Sequence, residues 1–532
     1  MIRLVTTGRL AAAAAHTEAA LAVHEPHLVD GFVRNLPHAA DTVGRRLRAA
    51  LTRENLTPKT AGGHTHAFNR TEYPHAGVAD PVDLLAGIDT TGTFSTEIRN
   101  AVINLALAHA RYDPTIPTSA NPDLTAVHLE RLAVAGHNLH PCGRTRLGWD
   151  TGDVLAHDLE AGHTRIHFIA VRDDTHLGDD LGPWLHQHFH DIPHAPPGHR
   201  LQPVHAWQHD TVLTRYADAF TDGTLKRLDG HLDATPTAAL RTLLLPGGHY
   251  LKVSLDIQVT STRRSISIAS TRNGPTLSTL LTQLIDDDPD GHRILLMTEP
   301  AGAAVPTGSG RDLSAITRTG LTGRLQPGEH AIPGGALPAY DPTTGTTVLA
   351  GLVNTAGGNP ATWLTDYTRL LLPPLLRLLT HGIALEAHLQ NCLPTFKNGH
   401  PHRLALRDFA GLRLHPGRLT QTGHTIDLWP GSVISTDNTE TLRAKLGYTA
   451  LQAHLGELVI RLAESHNLDE THAWRLIRTV IDDTYDTLRP HPHATADHHW
   501  LTAAHIPHKA LVRMRLAGAG DIHITVDNPL HG

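Results

Sequence analysis

Residues Gly136–Trp149 read GHNLHPCGRTRLGW, which places two His, two Arg, one Cys and three Gly in a segment with neither helical nor strand periodicity. Gly136, Pro141, Gly143 and Gly148 are points where a chain turns tightly and comes close to a bound group. Arg144 and Arg146, two residues apart, point the same way if the segment is extended, and a guanidinium fork suits phosphate or carboxylate. The stretch therefore reads as a ligand-binding loop, with a basic surface turn as the alternative. The company it keeps along the chain decides between them.

The chain has 532 residues, too many for one core, so roughly two to four domains are expected. With 40% hydrophobic residues, 18% charged residues and a formal net charge of −7, it has no basic footprint for nucleic acid and no general attraction to an anionic membrane. Any anion site must be local. Two cysteines, Cys142 and Cys392, make no disulfide framework and fit a reducing compartment. Arg3 and Arg9 precede LAAAAA in the manner of a signal peptide, but His16, Thr17 and Glu18 interrupt the apolar run. Leu370–Leu379, the most apolar stretch, is broken by Pro373, Pro374 and Arg377. A cytoplasmic protein is expected. Histidine is scattered at 43 positions; the tracts Trp184–His199 and His491–Trp500 lack the HExxH spacing and read as compositional drift.

Apolar residues at three-and-four spacing predict helices over Leu10–Val23, Val43–Leu56, Glu97–Tyr112 and Ala126–Ala135. Glu97, Asn100 and Asn104 then share a face, either solvated or docked. From Thr164 the pattern changes to short strands: Arg165–Val171, Tyr250–Thr260, Arg293–Met297 and Thr347–Val353. Alternation in the second sets Lys252, Ser254, Asp256 and Gln258 on a polar face. With Lys252 at its head, Arg263 and Arg264 behind it and Arg241 upstream, that face either lines an anionic pocket or meets solvent. Helices are predicted again over Trp363–His381, Thr439–Ser465, Glu470–Leu488 and His498–Leu516. Between them a strand at Ile383–Asn391 would point Glu386, His388 and Gln390 to one side, and a second, Leu404–Gly411, ends on Asp408, a magnesium ligand or an ion-pair member. No GxxxxGK[ST] phosphate loop occurs.

Taken in order, these motifs resemble those of the IucA/IucC-type synthetases of siderophore assembly, which work independently of nonribosomal peptide synthetases. GHPxHPxxKxRxG is matched by GHNLHPCGRTRLG, Ser-x-Arg-Thr by Ala239–Thr242, and a Lys-led strand by Lys252 with Arg264 twelve residues on. EAHxQN is matched by Glu386–Asn391, RDxxG by Arg407–Gly411, and ExxNSxxN by Glu97–Asn104. Asn138 replaces a Pro, Arg144 a Lys, and Ala101 and Ala239 each a Ser.

The resemblance implies an α+β (mixed α/β) fold shaped as a cupped hand: a helical thumb (1–118), β-rich fingers carrying nucleotide-binding motifs (119–335) and a mostly helical palm with EAHLQN and RDFAG (336–532). It implies ATP and Mg2+, with adenylation of a carboxylic acid such as citrate, or a citryl or succinyl derivative, followed by attack of an amine or hydroxyl. His137, His140, Arg144, Lys252 and Arg264 are expected at the phosphates, Glu386 and Asp408 at the metal or nucleotide, and Arg241, His388 and Gln390 at the acyl substrate. His140, Lys252, Arg264 and His388 are the groups expected to act in catalysis. Small molecules are the expected partners, in a homodimer, with neither nucleic acid nor membrane. A non-catalytic carboxylate- or siderophore-binding relative and a metal-dependent hydrolase are the competing classes, separated by pyrophosphate release and by metal analysis.

Overall fold

Helix Val29–Arg53 buries Phe32, Ala39, Ala40, Val43, Leu47, Ala50 and Leu51, a three-and-four stripe that needs a partner along its whole length. It finds one in helix Phe94–Ala110, with Arg9–His24 packed across both. The computed structural model describes residues 8–88, 92–113, 115, 119–518 and 520–532; the expected boundary at 118 and the leader-like Arg3 lie outside the described residues. The core of these helices runs on into Trp149, Ile169, Val171, Val204, Leu255 and Ile257, so they cover one face of a large sheet.

That sheet has eight strands, in the order Leu177–Gly178, Gly302–Ala304, Ser314–Arg318, His249–Val253, Thr242–Leu245, Leu225–Pro236, Thr164–Arg172 and His199–His205. Every neighbouring pair is antiparallel. Its other face closes over Ile166, Phe168, Leu201, Leu251 and Val253 with the short helix Gly182–His188. A second sheet, of four strands, runs Ile294–Leu296, His400–Leu406, Cys392–Lys397, His330–Ala331. Its first pair is parallel, so a segment that precedes residue 335 is built into a sheet completed after residue 390. Helix Pro360–Thr380 lies in the core against this sheet and against Glu470–Leu488. It passes through Pro373 and Pro374 as one helix. Among the described residues no helix is long and apolar enough to cross a membrane.

Four expected elements differ. Thr347–Val353 is not a strand: the Thr347 hydroxyl accepts from the Ala350 N–H at 3.1 Å and caps helix Val348–Thr355. Ile383–Asn391 forms a ladder only at Ile383–Ala384, because its partner Arg413–Leu414 is only as long, and the rest is loop. Tyr250–Thr260 breaks at Ser254, whose hydroxyl donates to the Arg311 carbonyl at 2.6 Å, and the strand resumes as Leu255–Val259 in a hairpin with Thr262–Arg264. Its polar face is not solvated, since Lys252, Ser254 and Asp256 are buried. His498–Leu516 is divided by Pro507, which sits in strand His505–Lys509 paired with His523–Asp527.

Candidate functional site

The Gly136–Trp149 loop crosses itself. Gly136 has a φ of 66°, a Cβ there would meet the Gly143 carbonyl oxygen at 2.8 Å, and one on Gly143 would meet the Ala135 carbonyl oxygen at 2.7 Å. The loop is pinned from two sides. The Thr145 hydroxyl donates to the Glu97 carbonyl at 2.9 Å and the Arg146 N–H to Asn100 Oδ1 at 2.7 Å, while Leu147 exchanges backbone hydrogen bonds with Gln258 at 3.1 and 2.8 Å. The polar face of Phe94–Ala110 is therefore a dock for the loop. Glu97 itself is fully buried and takes Arg515 from the C-terminal helix Leu511–Ala517.

Arg144 and Arg146 do not converge on open space. Arg146 forks onto Asp158 at 2.9 and 3.1 Å, and Arg144 pairs with Glu160 beside the same aspartate. The loop's free donor is a histidine. In both His137 and His140, Nδ1 accepts a backbone N–H two residues on, from Leu139 at 3.1 Å and from Cys142 at 2.9 Å, so the proton of each neutral ring sits on Nε2. His140 spends that proton on the Ser261 hydroxyl at 2.6 Å, whereas His137 Nε2 has no protein partner among the described residues. Burial pushes both rings down, His140 to about 3 and His137 well below the usual range, so both stay neutral donors at pH 7.

Across from the loop, cross-strand pairing sets Lys252 beside Thr242 and Ile316, and Tyr250 beside Arg318, so Lys252 and Arg318 share one face of the large sheet. Lys252, 1% exposed, donates to Asp408 Oδ1 at 2.7 Å and lies 3.7 Å from Glu299 Oε1; Arg318 contacts Glu299 at 2.7 Å and Asp408 at 3.7 Å. Burial pushes the Asp408 carboxyl up, but Lys252, Arg318 and Arg241 outweigh it and hold it well below the usual range. Asp408 also has a φ of 64°, as does Leu240, at 62°, immediately before Arg241. A left-handed leucine costs on the order of 1–2 kcal/mol, strain of a kind that gathers at ligand sites.

These two cations and two carboxylates balance, but two further arginines do not. Among the described residues Arg241 donates only to the carbonyls of Arg264 and Ser265, each at 3.1 Å. Arg264 makes no ion pair among the described residues, and its Nε is buried without a partner. Burial, then the neighbouring Arg241 and Arg146, push the Arg264 guanidinium down to about 9, while Asp408 and Glu386 act in the opposite sense. Two half-buried guanidinium groups without carboxylates of their own suit an anionic ligand.

Residues 385–390 lie close to these groups, Glu386 acting on Arg264 and itself acted on by Asp408. Although Glu386–Gln390 is loop, Leu385, Ala387 and Leu389 are buried while Glu386, His388 and Gln390 are half-buried, so the predicted three-to-one-side arrangement survives without a ladder. Glu386 accepts from Lys445 Nζ at 2.9 Å; burial pushes its carboxyl up, but Lys445 and His388 bring it below the usual range. Burial lowers His388, opposed by Glu386, and its charge is felt at His137. Gln390 takes Arg407 Nε on its backbone carbonyl at 3.0 Å. Arg407 also pairs with Glu130, which accepts from the Ala238 N–H at 2.7 Å, so RDFAG is tied to the turn that presents Arg241.

The structure thus brings His137, Arg241, Lys252, Arg264, Glu386, His388 and Asp408 within electrostatic reach of one another through a chain of neighbours, pairs Arg144 with Glu160, and occupies His140 with Ser261. Sequence reading missed Arg318 and Glu299, which lie in no motif but share the Lys252 pairings, as well as Lys445 and Lys509. Lys509 sits in a stretch read as helix, and its charge acts on both loop histidines. The histidine tracts build no shared centre. Among the described residues the one His/Cys/Asp/Glu group close enough to share an ion is His64, His66 and Glu470, outside both tracts.

Residues 125–339 match the model of the IucA / IucC family. Residues 361–523 match a second model, that of the ferric iron reductase FhuF-like transporter. Among relatives, D-ornithine–citrate ligase of Staphylococcus aureus is 25% identical over 501 residues, covering 82% of this chain and 76% of its own. The fold superposes on petrobactin biosynthesis protein AsbB from Bacillus anthracis with a TM-score of 0.82 at 20% identity, covering 97% of this chain and 98% of that one. It superposes on ATP-bound aerobactin synthetase IucA from Klebsiella pneumoniae with a TM-score of 0.73 at 19% identity, covering 92% and 100%.

Proposed function

We propose that this protein is a member of the IucA/IucC family and an ATP-dependent siderophore synthetase that activates citrate, or a citryl or succinyl derivative, and joins it to an amine or hydroxyl in the cytoplasm as a homodimer. The observation that carries the reading is the charge imbalance of the cleft. Lys252 and Arg318 are neutralised by Glu299 and Asp408, but the half-buried Arg241 and Arg264 have no carboxylate of their own among the described residues, which suits a triphosphate brought up to a polycarboxylic acid. The names of the relatives, a citrate ligase and an ATP-bound aerobactin synthetase among them, agree with this.

The donor set fits the nucleotide: His137 Nε2–H, Lys252 and the Arg264 fork are directed, desolvated donors for phosphate oxygens. It also fits magnesium, which takes one or two carboxylates and completes its shell with phosphate and water oxygens. Asp408, 24% exposed beside Lys252, and Glu386 would hold it. Bound there, the metal and nucleotide supply an electrophilic α-phosphate to the acid carboxylate. The chain's own part is positional. Arg241, His388 and Gln390 would orient the acid, joined by Lys445 and Lys509. His140, locked on Ser261, fixes the loop and so the aim of His137. Arg144 is assigned to the Glu160 and Asp158 pairing rather than to phosphate.

The test is ATP-dependent pyrophosphate release across citrate, 2-oxoglutarate and citryl and succinyl monoamides, with hydroxylamine as trapping nucleophile. Saturable release with a di- or tricarboxylic acid and a matching hydroxamate are expected. Silence across the panel, with ATP still bound, would move the protein to the non-catalytic class.

A further inference from the structure

A second concentration of cations lies against the Gly136–Trp149 loop, at Asn138 and Leu139. Between helix Val29–Arg53, the hairpin His64–Thr65/Thr71–Glu72 and helix Gly456–His466 is an open-mouthed cavity of about 220 Å³. Five arginines line it, Arg45, Arg46, Arg53, Arg70 and Arg461, against three glutamates, Glu54, Glu72 and Glu457. The glutamates are already committed. Glu72 and Glu457 each pair with both Arg70 and Arg461, and Glu54 accepts the Val512 and Arg513 N–H groups at 2.9 and 2.7 Å, capping the C-terminal helix. Asn138, which replaces a motif proline, adds its amide to Glu457 at 2.9 Å.

Arg45 pairs with Asp41 at 3.1 Å, which leaves Arg46 and Arg53. They lie seven residues apart on one helix, two turns or about 10 Å along its axis, so both side chains reach the same space. Among the described residues neither has an ion pair. Arg46 donates to the Ala135 carbonyl at 2.6 Å. Arg53, 9% exposed, has a buried Nε without a partner and one contact to His508 Nε2 at 3.2 Å. That histidine's Nδ1 lies 2.6 Å from Gln452 Oε1; because Arg53 must donate, Nε2 accepts and Nδ1–H donates, so His508 is neutral and supplies no charge. Burial pushes both guanidinium groups down to about 10, with Glu457 and Glu72 opposing it at Arg46 and Glu54 and Glu72 at Arg53, none of them close enough to form an ion pair. Room, access and two free donors of one sign describe a receptor for a small anion.

We propose that this cavity is an anion site separate from the Lys252–Asp408 cleft, taking a small dianionic oxyanion or dicarboxylate between Arg46 and Arg53. Because Arg46 also holds the Ala135 carbonyl where the loop begins, an occupant ties down the base of GHNLHPCG from behind.

The test compares wild type with the Arg46→Met/Arg53→Met double variant by thermal unfolding in sodium sulfate, against sodium chloride at matched ionic strength. Wild type should show a saturable rise in Tm. In the double variant the sulfate-specific rise should fall by at least half, while melting without sulfate stays equal or moves higher, because two uncompensated buried charges have gone. A double variant that melts lower and keeps the full sulfate rise would overturn the site. Phosphate and succinate arms identify the class: a response to either that the double variant loses supports the site, and none to both counts against it. If the double variant does not fold, wild-type crystals soaked in selenate decide, since an anomalous peak between the two guanidinium groups is required and its absence refutes the proposal. The readout needs neither ATP nor turnover, so it stands or falls apart from the synthetase reading.

Discussion

Replacing Gly411 by alanine should disable the cleft while sparing the fold. Gly411 does not have a positive φ, so alanine introduces no backbone strain. Its Cβ would lie 2.0 Å from Glu386 Oε2 and 2.8 Å from Cδ. Non-bonded carbon needs roughly 3.5 Å, so the carboxylate must retreat by about 1.5 Å. The Lys445 hydrogen bond, now 2.9 Å, would stretch beyond a working length. A charge-assisted hydrogen bond contributes about 1.5–3 kcal/mol, and each ~1.4 kcal/mol is a factor of ten, so kcat/KM should fall about 10- to 100-fold. Because the obstructing atoms are the end of a flexible side chain, the loss of stability should not exceed that one bond, and Tm should fall by no more than a few degrees with the fold intact. Pyrophosphate release at varied ATP and acid, with a melting curve on the same preparation, measures both. An alanine variant with wild-type kcat/KM would show that Glu386 has no part in the reaction, and the assignment of EAHLQN to the active site would go with it.

Three further outcomes are expected. Arg264→Lys should leave stability within about 0.5 kcal/mol, since no ion pair is lost, yet lower kcat/KM for ATP at least tenfold, because a point charge does not reproduce a fork; equal rates would place Arg264 outside the phosphate site. Lys252→Met should cost about 3–5 kcal/mol in denaturant unfolding as well as activity, since it strands Asp408 and Glu299 beside a single cation; an unchanged midpoint would contradict the buried cluster. Acid should unfold the protein early. His140 is pushed down to about 3 and His454 to about 4, against 6.5 when unfolded, so the unfolded chain takes up protons first and stability is lost as pH falls below about 6.5. Each such ring contributes ~1.4 kcal/mol per pH unit, and a Tm that stays level from pH 7 to 5 would be inconsistent with their burial.

The motifs were legible because they are local: a glycine that must cross a carbonyl, or a carboxylate ending a strand, leaves its mark within a few residues. Helix Glu470–Leu488 was legible for the same reason, its apolar period being uninterrupted. What alternation did not disclose was the environment of its polar face. Lys252 and Asp256 read as solvent-facing or pocket-lining, and their burial follows only from Asp408, 156 residues away, and from Arg215 and Arg263, which close on Asp256. Arg144 read as a phosphate ligand because its spacing to Arg146 was visible, whereas the folding back of Asp158 and Glu160 was not. Thr347 was misread because β-branched composition outweighed a capping hydroxyl that acts on one N–H.

The bond between Arg407 and Glu130 has a bearing on recombination. Glu130 lies in the segment matched by the first family model and Arg407 in the segment matched by the second, 277 positions apart. A chimera spliced between residues 339 and 361 would take the carboxylate from one parent and the guanidinium from the other. It would also join strand Ile294–Leu296 of one parent to strand His400–Leu406 of the other. Wherever the donors differ at either end, the turn presenting Arg241 would lose its brace, so a working chimera must carry these two residues as a pair.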